Sequence, residues 1–160
     1  MDPGREARDQ PAAVIRHGRA TEVEPILAMY EWLWAPPGRR PSGLASAWAG
    51  TALSGAIDSE DAAVLVAEAE RDEIVGLCTA YLDLDSVRFG RRCWVEDLAV
   101  HPERRSRGIG ARLLGAARDW ARERGATHLE LDTGPARVDA QRFYERERPS
   151  SRSLGYGWQL

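Results

Sequence analysis

The chain has 160 residues, 43% of them apolar, with 22 basic residues against 25 acidic and a formal net charge of −3. That length suits a single hydrophobic core, and the charge balance gives no global attraction to nucleic acid or to an anionic membrane. Every basic residue is arginine, which excludes mechanisms that need a lysine ammonium, such as a Schiff base or the phosphate-binding lysine of a P-loop.

Residues 1–11 are polar with two prolines and read as a disordered N-terminal tail, leaving one domain over 12–160. AAVIRHG then suits a short first strand. Val23, Ile26, Leu27, Tyr30 and Trp34 follow the spacing of one helix face. Thr21 and Glu24 fit a capping box, whereas Pro25 suits a helix that begins at Pro25 itself, so the start stays open. APPGRRPSG must be a loop because its prolines lack the backbone donor. A weaker helix over about 44–57 follows, each of its two glycines costing about 1 kcal/mol relative to alanine.

The pattern then changes to strands over 62–69, 73–84 and 91–100, joined by links short enough for antiparallel hairpins. Ile109, Leu113, Ala116, Ala117 and Trp120 define the most periodic helix, closed by Arg122, Arg124 and Gly125. THLEL is a strand reached only through that helix, so it should lie parallel to the strand before it. A helix over 136–147 and a closing strand over LGYGWQL complete the order β, α, α, β, β, β, α, β, α, β. The fold class is therefore mixed α/β (α+β), with a mostly antiparallel sheet, one parallel βαβ unit and helices on both faces.

Cys78 and Cys93 stand apart from any CxxC or histidine cluster, so neither a metal site nor a disulfide framework is indicated, and both suit small apolar packing positions. No stretch approaches the roughly 18 apolar residues of a membrane span, and the N-terminus lacks a signal-peptide core. We expect a cytoplasmic protein without a membrane or nucleic-acid partner.

RRSRGIG, residues 104–110, sits between a strand and the best-defined helix. Such a turn exposes free N–H groups at the positive end of a helix dipole, where a phosphate binds well. Gly108 and Gly110 admit an anion close to the backbone, and Arg104, Arg105 and Arg107 add charge suited to a pyrophosphate. The Rossmann spacing fails here, and a P-loop fails for lack of lysine. A basic turn before a solvated helix is the bland alternative.

In its context, VHPERRSRGIGARLL resembles the coenzyme A loop of the GNAT superfamily of N-acetyltransferases, whose pattern RxxGxG or RxxGxA matches Arg105, Gly108 and Gly110. The superfamily's FYE sequence on the helix after the next strand is matched by FYER at 143–146. The likeness in element order runs from about Val14 to Leu160. It implies acetyl-CoA as cosubstrate, held by Arg105, Ser106, Arg107, Gly108, Ile109 and Gly110 and by the backbone of Leu98, Ala99 and Val100 where two parallel strands splay apart. No metal is implied.

The resemblance further implies direct attack of an amine on the thioester in a ternary complex, with Tyr144 as the general acid that protonates the departing thiolate. The alternative for Tyr144 is packing between helix and sheet. A carboxylate must free the amine of its proton, and Glu96 and Asp97 are the candidates. In a regular strand they point to opposite faces, so only one serves unless a bulge intervenes. We assign Glu96 as base and Asp97 as a contact to the substrate cation or a structural partner, against the alternative that both merely solvate a sheet end. Trp32, with Trp34 and the APPGRRP loop, lies where the superfamily covers its acceptor, and Trp32 is taken as a substrate contact. Trp34 continues the apolar stripe and suits the core equally well.

Two departures from the family pattern stand out. ERERPSSRSLGYGW replaces the usual short turn and GF pair, and Ala136, Arg137, Val138 and Asp139 stand where an asparagine is customary. A non-catalytic acyl-CoA binding or sensing module is the second reading, opposed by the presence of Glu96 and Tyr144. An RNA-contacting domain is a third, opposed by glutamates interleaved with the arginines. The expected partner is a small-molecule or peptide amine, and the sequence leaves a homodimer open.

Overall fold

The computed structural model describes residues 13–42 and 46–160, with the side chain of Ser46 outside the description. The expected tail over 1–11 and the expected helix start at Leu44 lie outside those residues. Five strands form one sheet in the order β1-β2-β3-β4-β5: β1 (Val14–His17), β2 (Ala62–Glu68), β3 (Ile74–Ser86), β4 (Gly90–Val100) and β5 (His128–Glu130). All neighbours run antiparallel except β4 and β5, which are parallel, as their crossover connection requires.

Helix α4 (Ile109–Glu123) makes that crossover and lays Leu113, Leu114, Ala117 and Trp120 on the sheet, against Leu65, Val75, Cys78, Cys93 and Val95. Each buried leucine of this stripe contributes about 1.5–3 kcal/mol. On the opposite face, α1 (Val23–Ala28), α2 (Tyr30–Trp34) and α3 (Ser46–Asp58) cover Val64, Val66 and Leu77 with Ile26, Met29 and Leu53. The sheet alternation thus serves two cores, one on each face. The predicted helix over 21–34 is a 3-10 turn (Ala20–Glu22) followed by α1 and α2, because the chain tightens at Met29, where N–H groups bond three residues back, Met29 N to Ile26 O at 3.1 Å and Trp32 N to Met29 O at 3.0 Å.

Helix α5 (Val138–Arg146) packs Phe143 and Tyr144 against the α4-side core. The predicted closing strand does not form. Residues 151–160 have no regular structure and are exposed, with Leu154, Tyr156 and Trp158 open to solvent. Their alternation is strand-like, but Gly155 and Gly157 remove the side chains that would pack between them, and no strand among the described residues supplies a ladder. No helix among the described residues is long and apolar enough to cross a membrane.

Candidate active site

Strand β5 pairs with β4 only over three positions, Arg92 with His128, Cys93 with Leu129 and Trp94 with Glu130. Beyond Trp94 the two parallel strands part while β4 runs on to Val100, so main-chain groups on that edge, those of Leu98 and Val100 among them, have no strand partner among the described residues, whereas those of Ala99 face Leu77 of β3. The opening is suited to an extended arm that offers its own amides to the strand edge.

At the far end of β4 the chain turns through Pro102–Arg104 into the RRSRGIG loop. Ser106 at φ 61° and Gly108 at φ 77° both take the left-handed conformation that curls the loop back on itself. The first bond within α4 is Arg112 N to Gly108 O at 3.1 Å, so the N–H groups of Ile109, Gly110 and Ala111 lack intrahelical partners at the positive end of a fifteen-residue helix. Arg105 donates from Nε to the carbonyl of Val100 at 3.2 Å, fastening the loop to the strand end. Arg105, Ser106, Arg107 and Gly108 are exposed. This donor set fits a pyrophosphate.

Near the start of the split, Thr79 pairs with Asp97 and Ala80 with Val95, leaving Glu96 as the extra residue of a β-bulge. The bulge resolves the opposition expected of adjacent strand residues. Asp97 faces the α2 side with Thr79, and Glu96 turns to the same side, where its Oε2 accepts from Trp94 Nε1 at 3.0 Å and lies 3.5 Å from the Tyr81 hydroxyl. Partial desolvation, together with the neighbouring negative charge of Asp97, raises the pKa of Glu96 above the usual carboxylate range. Asp97 Oδ2 accepts from Tyr30 at 2.8 Å and from Thr79 at 2.6 Å, so this carboxylate fastens α2 to the sheet.

Tyr144 packs against the core on the α4 side of the sheet. It is half-buried, edge-on to Phe143 with ring centroids 5.1 Å apart. Burial pushes its phenol up to about 12, so the hydroxyl keeps its proton through the neutral range and can donate it. Trp32 packs edge-on against His101 at 4.9 Å, where β4 ends, while Trp34 lies 5.9 Å from Tyr30 with the Arg40 guanidinium 4.2 Å over its ring. Trp32 therefore sits nearer the phosphate loop than Glu96.

Sequence reasoning did not single out Tyr81, the aromatic that pairs across β3 and β4 with Trp94, or Asp132, whose charge reaches both Glu96 and Tyr144. The alternation of Tyr81 and Asp83 on the helix-free part of the sheet was the available signal. No group of histidine, cysteine or acidic residues able to hold a metal occurs among the described residues. Cys78 and Cys93 are both buried as apolar packing.

A split parallel pair, a helix end with free N–H groups, a carboxylate and a phenol are the parts that acyl transfer from coenzyme A would use. The model of the Acetyltransferase (GNAT) family matches residues 26–148. An uncharacterized N-acetyltransferase of Bacillus subtilis (strain 168), YhfO, is 32% identical over 127 residues, 79% of this chain and 80% of its own. Aminoalkylphosphonate N-acetyltransferase of Salmonella typhimurium (strain LT2) is 36% identical over 75 residues, 47% of this chain and 49% of that protein. Among solved structures, AAC(6')-Iy in complex with the bisubstrate analogue CoA-S-monomethyl-acetylneamine superposes with a TM-score of 0.76 at 19% identity, over 94% of this chain and 100% of that one. The chain belongs to the acetyltransferase (GNAT) family and is an N-acetyltransferase.

Proposed function

We propose that the protein transfers acetyl from acetyl-CoA to an aliphatic amine by direct attack within a ternary complex. The observation that supports this reading is that Glu96 lies on the α2 face of the sheet and Tyr144 packs on the α4 face, while β4 parts from β5 beyond Trp94 and runs on to the RRSRGIG turn. The pyrophosphate is held by the N–H groups opening α4, with Arg105, Ser106, Arg107, Gly108, Ile109 and Gly110 forming the cradle. The pantetheine arm lies along the edge of Leu98, Ala99 and Val100. The relative named for aminoalkylphosphonate acetylation supports an amine acceptor.

The acceptor enters as an ammonium. Glu96, held by the Trp94 indole N–H with the Tyr81 hydroxyl beside it, attracts that cation, and its carboxylate takes one proton. The free amine nitrogen attacks the thioester carbonyl carbon, and the carbon–sulfur bond breaks as the Tyr144 hydroxyl supplies the proton to the leaving sulfur. The now cationic nitrogen gives its extra proton back to the Tyr144 phenolate through solvent, and Glu96 releases its proton to water. The products are an N-acetyl amine and coenzyme A. Asp97 and Trp32 act on the acceptor side through α2, Asp97 by fixing Tyr30 and Trp32 by packing on His101.

Calorimetric titration with acetyl-CoA, followed by free-thiol detection across a panel of amines, tests the reading. Saturable binding and amine-dependent thiol release are expected. No binding overturns it, and binding without release across polyamines, aminoglycosides, aminoalkylphosphonates and peptide N-termini favours the acyl-CoA sensing module instead.

A further inference from the structure

One side chain joins the two halves of this site. Arg137 precedes α5, within the stretch Ala136, Arg137, Val138 and Asp139 where the family's customary asparagine is missing. Its Nη2 donates to the carbonyl of Leu33 at 2.6 Å, 104 residues away in sequence. Leu33 lies in the last turn of α2, where carbonyls have no partner within the helix.

The route of this contact matters. Helix α2 lies with the core on one face of the sheet, through Tyr30 and Trp32, whereas Phe143 and Tyr144 of α5 pack against the core on the other face. Arg137 follows β5, the edge strand of the sheet, which pairs with β4 only as far as Trp94, so its bond to Leu33 links elements packed on the two faces. The loop after α2 is shaped around the guanidinium: a Cβ at Gly38 would stand 2.6 Å from Arg137 Nη2 and 2.0 Å from the Leu33 carbonyl oxygen. Only glycine permits that approach.

We propose that Arg137 is a positioning residue that clamps the acceptor-side helix α2 to the helix bearing Tyr144, across the split that receives the thioester. The inference rests on the acetyl-transfer reading for what the clamp serves. Seven residues, about two helical turns, separate Arg137 from Tyr144, which places both on one face of α5. The clamp thus fixes the N-terminal end of the short helix whose last turn carries the phenol. Its cation also opposes the rise in the Tyr144 pKa, which favours proton donation. A planar, permanently charged fork suits both tasks.

Arg137→Ala is expected to lower kcat on the order of tenfold while the affinity for acetyl-CoA changes less than about twofold, the pattern of lost positioning rather than lost binding. Arg137→Lys, which keeps the charge and a donor, should recover part of that rate. In a Tyr144→Phe background, Arg137→Ala should cost nothing more, because the effect passes through the phenol. An unchanged kcat in Arg137→Ala, or the same loss with and without Tyr144, overturns the proposal. The clamp has a readout independent of chemistry: amide hydrogen exchange over residues 30–38 of the cofactor-free protein should accelerate in Arg137→Ala and less so in Arg137→Lys. Unchanged exchange there refutes the clamp even if the wild type acetylates amines. If the wild type releases no thiol with any amine, the acetyl-transfer reading fails separately, and the exchange rates still decide whether the clamp exists.

Discussion

The phenolic O–H of Tyr30 donates to Oδ2 of Asp97 at 2.8 Å, tying α2 to β4 beside the bulge that displaces Glu96. Burial and the Asp97 charge raise the Tyr30 pKa, so the phenol remains a donor through the neutral range. Tyr30→Phe should cost about 1.5 kcal/mol, the usual worth of a hydrogen bond to a charged acceptor. Chemical denaturation measures it, and a cost that persists in an Asp97→Asn background would remove the bond from this role.

Glu96→Gln should lower kcat/KM about a hundredfold, since a positioned base contributes at least that much. The sign of the pH dependence follows from the raised pKa. The base works when ionised, so activity climbs with pH through an inflection above the usual carboxylate range. The glutamine variant should lose that inflection and follow the ionisation of the amine alone. A pH–rate profile identical to wild type would exclude Glu96 as base.

Tyr144→Phe should reduce kcat on the order of tenfold or more while leaving the calorimetric affinity for acetyl-CoA nearly intact, because the ring and its contact with Phe143 are kept. With a good thiolate leaving group in place of coenzyme A the defect should shrink. A defect of equal size with both acyl donors counts against proton donation to sulfur.

The two glycines of the phosphate loop should respond differently to alanine. Gly108 sits at φ 77° in open space, with nothing within 4 Å of the point a Cβ would occupy, so Gly108→Ala costs about 1 kcal/mol in backbone strain and weakens acetyl-CoA binding. A Cβ at Gly110 would meet the Phe143 ring at 3.5 Å, an ordinary contact, so Gly110→Ala should leave both Tm and affinity close to wild type. Thermal scans with and without acetyl-CoA separate the two.

A third carboxylate reports on the fold rather than the site. The Arg16 guanidinium, bonded to Glu22 at 2.7 and 2.9 Å and to Glu68, holds Glu22 at about 2, below its ordinary value of 4.5. A depressed folded pKa gives stability that is present above the unfolded value and lost as pH falls from about 4.5 towards 2. Glu22→Gln should destabilise by about 1–2 kcal/mol at neutral pH, allowing for solvent screening, and by nothing near pH 2. Urea titrations at the two pH values check this.

The main elements were legible because each has a local cause. The 3.6-residue period of Ile109, Leu113, Ala117 and Trp120 marks α4, and the lack of any short route from β4 to THLEL makes their pairing parallel. The phosphate loop was equally legible, since its glycines and the helix behind it are contiguous in sequence. The closing segment misled because alternation alone does not make a strand. A ladder partner is needed, and Leu154, Tyr156 and Trp158 have none among the described residues.

The sequence by itself determined the βαβ unit and the glycine-bearing turn that opens α4, and offered two candidate proton carriers, because helix period, turn chemistry and residue type are encoded over a few neighbouring positions. Only the tertiary structure decided the rest. The extra residue at Glu96 is defined by the register of β4 against β3, so a strand read alone cannot show that Glu96 and Asp97 share a face. The bond between Arg137 and Leu33 joins residues 104 apart, brought together by the packing of α2 and α5 on one sheet, which no local pattern encodes.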